Sequence, residues 1–178
     1  MSDLPTPGTW KIDPSHTRAG FVARHLMVTK VRGHFNSLQG TIEIAEDPIE
    51  SSVEVTIDAP SIDSRDEQRD AHLRSADFLD VERFPYLTFR STTVERFGDD
   101  WKVTGDLTIK DVTRPVVLDL EYEGSIADPW GGERIGLTAS AEIDREDWGL
   151  TWNVALEAGG VVVSRKVKLE LEVEAVKS

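Results

Sequence analysis

Apolar and polar residues alternate along most of this chain with a period of two. The pattern is clearest in KVKLELEVEA, residues 166–175, where valine, leucine and alanine share one parity. Lysine and glutamate occupy the other parity. Because successive side chains of a β-strand point to opposite faces of its sheet, this segment is predicted to be a strand with one buried and one wet face.

Eight segments of this kind follow one another along the sequence. They cover residues 17–25, 38–46, 52–58, 84–94, 101–110, 114–124, 133–144 and 166–175. Most connections between them are short and carry turn residues, such as Gly98-Asp99-Asp100, so neighbouring strands are predicted to be antiparallel. Eight antiparallel strands with one apolar face either stack as a sandwich or close as a barrel, and periodicity alone does not choose between the two.

One segment interrupts the alternation: RDEQRDAHLRSADFLD, residues 65–80, which is crowded with charge. Ser64 and Glu67 have the spacing of a capping box, which predicts that a helix begins here. Asp70 and Arg74 have the spacing of a helical ion pair. The segment has few large apolar residues, so it is predicted to be a short surface helix in the crossover between the third and fourth strands. In a barrel, such a crossover can cover one mouth.

The inward parity of several strands carries small residues: Ala19, Ala23, Gly40, Gly105, Ala139 and Ala141. The interior of an eight-stranded barrel is either filled by side chains or holds one ligand. Small inward residues leave room for a ligand, but they also relieve crowding where strands cross or coil. The pattern does not separate these two interpretations, and a cavity is a hypothesis at this point.

The composition is that of a single globular domain, which we place at residues 1–178 with a core at about residues 9–176. The formal net charge of −13 argues against nucleic acid and against anionic membrane surfaces as partners. The sequence has no apolar run long enough to span a bilayer, and its start, MSDLPTPGTW, lacks the pattern of an export signal. We therefore expect a cytoplasmic protein without stable membrane insertion.

Neither a metal site nor a catalytic site is predicted. The chain has no cysteine, and its four histidines lack the HxH and HExxH spacings. His72, beside Asp70 and Arg69, has the chemistry of an acid–base group. No nucleophile elbow, phosphate-binding glycine loop or dinucleotide fingerprint accompanies it. A solvated helix surface is therefore the favoured interpretation of His72, and no cofactor is expected.

Four stretches stand out by their order and spacing. They are WKIDPSHTRAGFVARHLMVTKVRGHF, RDAHLRSADFLDVERFPYLTFRS, GDLTIKDVTRPVVLDLE and IDREDWGLTWN. Together they resemble the YceI-like family of polyisoprenoid-binding proteins, over about residues 10–175. The resemblance implies an all-β, lipocalin-like fold: an antiparallel eight-stranded barrel, partly closed by helical segments, with a long apolar cavity. It also implies a ligand with an isoprenoid tail, such as a quinone-type lipid, and it brings no catalytic residue and no metal motif.

The chain departs from the family pattern in four respects. Thr17 stands where serine is usual, Asp111 where a turn glycine is usual, and Trp148 where phenylalanine is commoner. The larger ring at residue 148 is expected to shorten the cavity. Many relatives carry an export signal that is not visible here, so a periplasmic role is not carried over.

Strand parity in such a barrel predicts ten residues that line the cavity: Phe21, Ala23, Ile42, Val55, Phe89, Leu107, Leu118, Leu137, Ala139 and Leu169. Five aromatic residues are predicted to close its ends: Phe35, Phe78, Phe84, Trp148 and Trp152. Three polar residues are predicted to contact the head group: His25, Arg69 and His72. For the two tryptophans, packing in the core or anchoring a loop is the more common role.

The function expected from these observations is binding without chemistry. An isoprenoid tail that leaves water for a dry barrel gains roughly 25 cal/mol per Å² of buried surface, which suits the binding, storage or transport of a polyisoprenoid or quinone-type lipid. Two alternatives stay open: an enzyme that acts on an amphiphile with His72 or His25 as its base, and a packed, ligand-free barrel that serves as a stress-associated interaction protein. Pairing of exposed edges or mouths in a homodimer is also left open.

Overall fold

The computed structural model describes residues 4–157 and 160–178, and most of them lie in antiparallel strands. The strands are β1 (Gly8–Ile12), β2 (Arg18–His25), β3 (Thr29–Phe35), β4 (Leu38–Ile44), β5 (Ser52–Asp58), β6 (Ile62–Asp63), β7 (Tyr86–Phe97), β8 (Asp100–Ile109), β9 (Val112–Ala127), β10 (Glu133–Asp144) and β11 (Lys166–Lys177). The α-helix, α1, spans Glu67–Arg74, and short 3₁₀ turns lie at Pro14–His16, Pro48–Glu50, Ala59–Ser61 and Arg145–Trp148.

The sheet closes on itself because β1 pairs with both β4 and β11. The closed ring runs β1-β4-β5-β7-β8-β9-β10-β11 and returns to β1, while β2, β3 and β6 extend from β11 along the same wall. Three long strands of the barrel are thus each broken once into two arms. The pairs of arms are β1 with β2, β3 with β4, and β5 with β6. The predicted antiparallel eight-stranded barrel, with a helical crossover between its third and fourth strands, is confirmed.

Two of the three breaks coincide with a proline. Pro14 cannot donate to a strand ladder, and the Asp13 carboxylate accepts from the backbone N–H of Ser15 there. Pro60 likewise removes a backbone donor between β5 and β6. The alternation pattern did not reveal β1, β3 and β6, because these are single arms of broken strands and too short or too interrupted to show a long alternation.

Helix α1 begins two residues later than the capping box implied. Asp66 is the N-cap, and its carboxylate accepts from the backbone N–H of Arg69. Ser64 is instead buried, where its hydroxyl and its backbone N–H both donate to the carboxylate of Asp70. The expected ion pair between Asp70 and Arg74 does not form, because the Arg74 guanidinium donates to the backbone oxygens of residues 60 and 62.

The strand directions give the barrel two different ends. The helix end holds the β2–β3 connection (residues 26–28), the α1 crossover (64–85), the β8–β9 turn (110–111) and the β10–β11 connection (145–165). The turn end holds only short turns at residues 45–51, 98–99 and 128–132. At the turn end, Trp10, Ile135 and Ala175 pack together as the most deeply buried apolar side chains of β1, β10 and β11.

Candidate ligand-binding cavity

The barrel encloses a cavity of about 360 Å³ along its axis. Leu150 and Val163 line the cavity at the helix end, and Leu4 and Pro48 line it at the turn end. The wall between them consists almost entirely of apolar side chains from the inward parity of the strands. The lumen is therefore a continuous apolar space and not a core filled by side chains.

All ten residues that strand parity selected lie in the cavity wall: Phe21, Ala23, Ile42, Val55, Phe89, Leu107, Leu118, Leu137, Ala139 and Leu169. The pairing register explains why they meet. Ala139 of β10 lies opposite Leu120 of β9 and Leu171 of β11, and all three side chains point into the lumen. Contact of these residues with a ligand stays a prediction.

Two glycines of the wall serve a purpose that the sequence did not reveal. A Cβ atom on Gly33 would lie 2.3 Å from the Phe21 ring, and one on Gly105 would lie 2.4 Å from the Phe89 ring. The two phenyl rings therefore lie over the glycines of neighbouring strands. Gly105 makes room for a side chain of the protein itself, and each ring occupies space beside a glycine that it would otherwise take from the lumen.

Of the five aromatic residues expected to close the ends, Phe35 and Phe78 lie in the cavity wall. Trp148 lies outside that wall: it is buried, and its indole Nε1–H donates to the Leu107 carbonyl at 2.9 Å. Trp152 packs behind Phe78, with 5.4 Å between the ring centroids. Phe84 also lies outside the wall, beneath the guanidinium of the neighbouring arginine. The larger ring at residue 148 therefore does not shorten the cavity.

None of the three residues expected to contact a head group lies in the wall. Arg69 is held at Ser64, donating to its hydroxyl at 2.7 Å and to its carbonyl at 2.6 Å. His72 packs edge-on against Trp152 and donates to the Asp77 carboxylate at 2.8 Å. His25 ends β2 with its side chain exposed. Arg69 and His72 are thus hydrogen-bonded to neighbouring groups, and contact of the three residues with a head group stays a prediction.

The polar group that reaches the cavity at the helix end is Arg145, which sequence reasoning missed. Its side chain lines the cavity although the residue is only 4% exposed. The guanidinium donates to the carbonyls of Ser164, Leu150 and Val163. Burial away from water lowers the pKa of Arg145 from its ordinary value, and the negative charges of Glu146 and Asp144 oppose this effect only in part. The DRED stretch at residues 144–147 was the only signal in the sequence.

A second polar group faces the lumen nearer the turn end. Tyr122 of β9 lines the cavity, and its hydroxyl is buried without a hydrogen-bond partner among the described residues. An unpaired buried hydroxyl is costly, and such a group is commonly completed by a ligand or a water molecule. The inward parity of Tyr122 was visible in the sequence, but an alternation pattern does not report on hydrogen bonding.

One cluster of carboxylate and imidazole groups lies on the outside of the turn-end half, at the break between β1 and β2. Asp13, His16 and Glu174 have ligand-type atoms within 4.8 Å of one another. Arg134 already lies between the two acids, with its Nη1 at 2.7 Å from Asp13 Oδ2 and 3.0 Å from Glu174 Oε2. The hydrogen bond from Arg134 lowers the pKa of the Asp13 carboxyl far below its ordinary value. The group is therefore an ion-pair network that already contains its cation.

Among the residues that the structure describes, no helix combines the length and the apolar character needed to cross a bilayer.

Comparison with known proteins identifies relatives over nearly the whole chain. The family model described as "YceI-like domain" matches residues 10–175. Protein YceI of Escherichia coli is 39% identical over 170 residues, which cover 94% of this chain and 86% of that protein. The crystal structure of a YceI protein from Campylobacter jejuni superposes with a TM-score of 0.75 at 29% identity, covering 100% of this chain and 99% of that one.

A more distant structure shares the fold. A polyisoprenoid-binding domain from Saccharophagus degradans, implicated in plant cell wall breakdown, superposes with a TM-score of 0.68 at 14% identity. It covers 97% of this chain and 100% of its own. Its fold matches the closed antiparallel barrel described above, and the sequence matches to the family model and to the E. coli protein extend over the same strands. This chain belongs to the YceI-like family.

Proposed function

We propose that this protein binds an amphiphilic isoprenoid lipid, of the polyisoprenoid or quinone type, and catalyses no reaction on it. The observation that carries the proposal is the continuous apolar wall around about 360 Å³ of the lumen. Small-molecule pockets in proteins commonly have volumes of about 300–1,000 Å³, and they are mostly apolar with a few polar groups. A long, narrow, apolar lumen suits an extended hydrocarbon chain better than a compact polar molecule.

Removal of the isoprenoid tail from water would supply the affinity for the ligand. At roughly 25 cal/mol per Å², burying about 300 Å² of isoprenoid surface contributes about 7 kcal/mol before the entropic costs of binding. A micromolar dissociation constant corresponds to about 8 kcal/mol. Burial of the tail therefore accounts for most of the free energy of binding, and polar contacts chiefly set the orientation of the ligand.

Arg145 is the group that we assign to the head of the ligand. A guanidinium has five N–H donors, and three backbone carbonyls accept from Arg145. The remaining donors suit a quinone carbonyl, a hydroxyl or an anionic oxygen at the helix end of the cavity. Tyr122, nearer the turn end, then offers its hydroxyl to a polar atom further along the lumen, if the ligand has one.

Two further observations support binding without chemistry. His25 and His72, the histidines with the chemistry of a base, both lie outside the cavity wall. The domain from S. degradans with the same fold is a polyisoprenoid-binding domain, and the apolar wall of the lumen seen here supports a ligand of that class. Cytoplasmic location, a homodimer and a single domain over residues 1–178 stay predictions from the sequence.

Blocking the lumen tests the proposal. We expect Ala139→Trp to lower the affinity for farnesol and for a prenylated benzoquinone at least tenfold. The indole would extend from β10 into the lumen and fill the space in front of Leu120 and Leu171. Equilibrium dialysis measures the affinity, and circular dichroism checks that the barrel is intact. Glu142→Trp is the matched control, since residue 142 lies on the same strand but is exposed. Equal affinity in the two folded variants would refute the proposed site.

A further inference from the structure

The connection between β2 and β3 presents an apolar tip to solvent at the helix end. Leu26, Met27 and Val28 form this tip, and their exposed fractions are 42%, 51% and 75%. All residues from Arg24 to Lys30 are exposed. Three adjacent large apolar side chains that project from the end of a hairpin are not needed to fill any core, because the strands below them already line the lumen.

The backbone of this tip is unfavourable for the residues that it carries. Leu26 and Met27 have φ angles of 52° and 65°, and the Val28 N–H donates to the His25 carbonyl at 3.2 Å. Two central residues with positive φ characterise a type I′ turn, in which Asn-Gly is strongly preferred. Side chains with a Cβ disfavour this conformation, and leucine and methionine gain nothing from it locally. The turn geometry therefore does not explain why apolar residues occupy the tip.

The charge around the tip is opposite to that of the whole protein. The chain carries 33 acidic residues and a net charge of −13, yet from Pro14 to Ile42 there is no aspartate or glutamate. Arg24 and Lys30 lie opposite each other just below the tip, and neither belongs to an ion pair among the described residues. Arg32 lies lower on β3 and is 3.6 Å from Glu170. The flanks of the apolar tip are thus basic.

We propose that this tip, together with its basic flanks Arg24 and Lys30, docks on the surface of a lipid bilayer that contains anionic lipids. Leu26, Met27 and Val28 enter the boundary between head groups and acyl chains, and Arg24 and Lys30 contact the phosphates. The negative charge elsewhere does not prevent this contact. At physiological ionic strength the Debye length is about 8 Å, so acidic groups on distant faces of the barrel are screened.

The tip lies beside the mouth of the cavity. Ala23, which precedes the tip on β2, lines the lumen. Val163 of the β10–β11 connection lines it as well. The Leu26 N–H donates to the Val162 carbonyl at 2.9 Å, which joins the tip to that connection. Val162 in turn donates to the carbonyl of Val154, another exposed apolar residue. Docking would therefore bring the helix end, and not the turn end, to the bilayer.

The tip can be altered in the full-length protein with a pair of residues that suits its backbone. The double variant Leu26→Asn with Met27→Gly removes two of the three apolar side chains and installs the pair that a type I′ turn prefers. We expect its melting temperature to equal or exceed that of the parent protein. Its partition onto vesicles of phosphatidylcholine with one quarter phosphatidylglycerol, measured by sedimentation, should fall roughly tenfold or more.

Two further variants separate the apolar contribution to vesicle binding from the contribution of charge and from non-specific adsorption. Arg24→Gln with Lys30→Gln should weaken binding to the anionic vesicles several-fold and leave binding to pure phosphatidylcholine nearly unchanged. Trp130→Ser is the matched control, because Trp130 is 91% exposed in a turn at the opposite end of the barrel. It should bind vesicles like the parent protein.

Three outcomes would overturn the proposal. They are no binding of the parent protein to the anionic vesicles, equal binding by the folded Asn-Gly variant, and an equal loss in Trp130→Ser. A tip that binds a partner protein and not a lipid bilayer would give the first result, no binding of the parent protein to the vesicles. The inference does not depend on the lipid ligand, because vesicle binding is measured separately from lumen occupancy: failure of docking leaves the Ala139→Trp result unaffected, and the reverse also holds.

Discussion

The two ends of the barrel are stabilised by different kinds of interaction, as their two arginines illustrate. At the turn end, Arg134 lies on the outside and pairs with Asp13, Asp128 and Glu174. At the helix end, Arg145 is buried and its guanidinium donates to backbone carbonyls of the irregular connection that follows it. The first arginine ties β10 to β11, to the turn before β10 and to the break between β1 and β2. The second holds the shape of a connection whose Trp148 and Leu150 pack into the core of the barrel.

This difference assigns separate tasks to the two ends. Packing of Trp10, Ile135 and Ala175 among paired strands stabilises the barrel at the turn end. At the helix end, hydrogen bonds to connecting chain and a small group of aromatic rings shape the mouth of the cavity. Substitutions in the closely packed turn end should therefore act mainly on the free energy of unfolding, and substitutions of side chains that shape the cavity should act on ligand binding as well.

The largest effect is expected at Trp10. Its side chain is 0% exposed, and its indole N–H donates to the Thr6 carbonyl at 3.0 Å. Trp10→Ala should lower the free energy of unfolding by about 3–5 kcal/mol, since it removes a large buried ring and leaves a void. Urea denaturation measures this loss. Trp130→Ala is the control for loss of an indole at the surface, and it should change the stability by less than about 0.5 kcal/mol. Similar losses in the two variants would contradict the assigned packing.

An intermediate effect is expected at Gly33, in the helix-end half of the wall. Gly33→Ala places a methyl group where the Phe21 ring now lies, so the ring must turn toward the lumen. The cost in stability should be about 1–3 kcal/mol, as for other overpacked cores, and the affinity for a prenyl lipid should fall with the lost volume. Denaturation and equilibrium dialysis measure the two effects.

Gly136→Ala provides the control for Gly33, because both glycines lie in strands without a positive φ angle. A Cβ at residue 136 would meet its nearest neighbour, the Glu123 Cβ, at an ordinary 3.7 Å. Stability and affinity should therefore stay close to those of the parent protein. If Gly33→Ala bound lipid as well as Gly136→Ala, the position of the phenyl rings would not govern the space in the lumen.

The smallest effect is expected at Arg134, and it should depend on pH. The hydrogen bond from Arg134 lowers the pKa of Asp13, so this carboxylate stabilises the folded state above its unfolded pKa of about 4. The contribution declines as the pH falls below that value, where the unfolded chain gains its proton first, and it is lost once the folded carboxyl is protonated as well. Arg134→Gln should therefore lower the melting temperature at pH 6 more than at pH 3.

Arg96→Gln is the control for this pH dependence, since Arg96 donates to the Gly98 carbonyl, a group that does not titrate. Its effect on the melting temperature should be the same at both pH values. A pH-independent loss in Arg134→Gln would mean that the ion pair with Asp13 does not contribute to stability.

The sequence predicted the barrel and its inner wall because alternation fixes which face of each strand is buried. Ala139 and Leu107 could be placed in the wall from parity alone, without knowledge of their neighbours. The polar groups of the lumen escaped prediction for a different reason. Arg145 lies in a 3₁₀ turn, where parity has no meaning, and its burial depends on carbonyls of residues 150, 163 and 164 that only the folded connection brings near.

The capping box and the ion pair predicted for α1 were wrong because tertiary contacts chose other partners for these side chains. The spacing of Ser64 and Glu67 matches a capping box, but the Asp70 carboxylate competes successfully for the Ser64 hydroxyl. Arg69 then binds Ser64 and is not available to a ligand in the cavity. Local spacing cannot report such competition, since each partner is itself chosen by the packing of the crossover against the barrel.

The most direct test of the account is to identify what the lumen contains. Protein purified without detergent should be extracted with organic solvent, and the extract analysed by mass spectrometry beside that of Ala139→Trp. The account predicts a prenyl lipid in near-stoichiometric amount from the parent protein and a strong depletion of it from the variant. An extract without any lipid from the parent protein, or the same lipid in equal amount from the blocked variant, would contradict it.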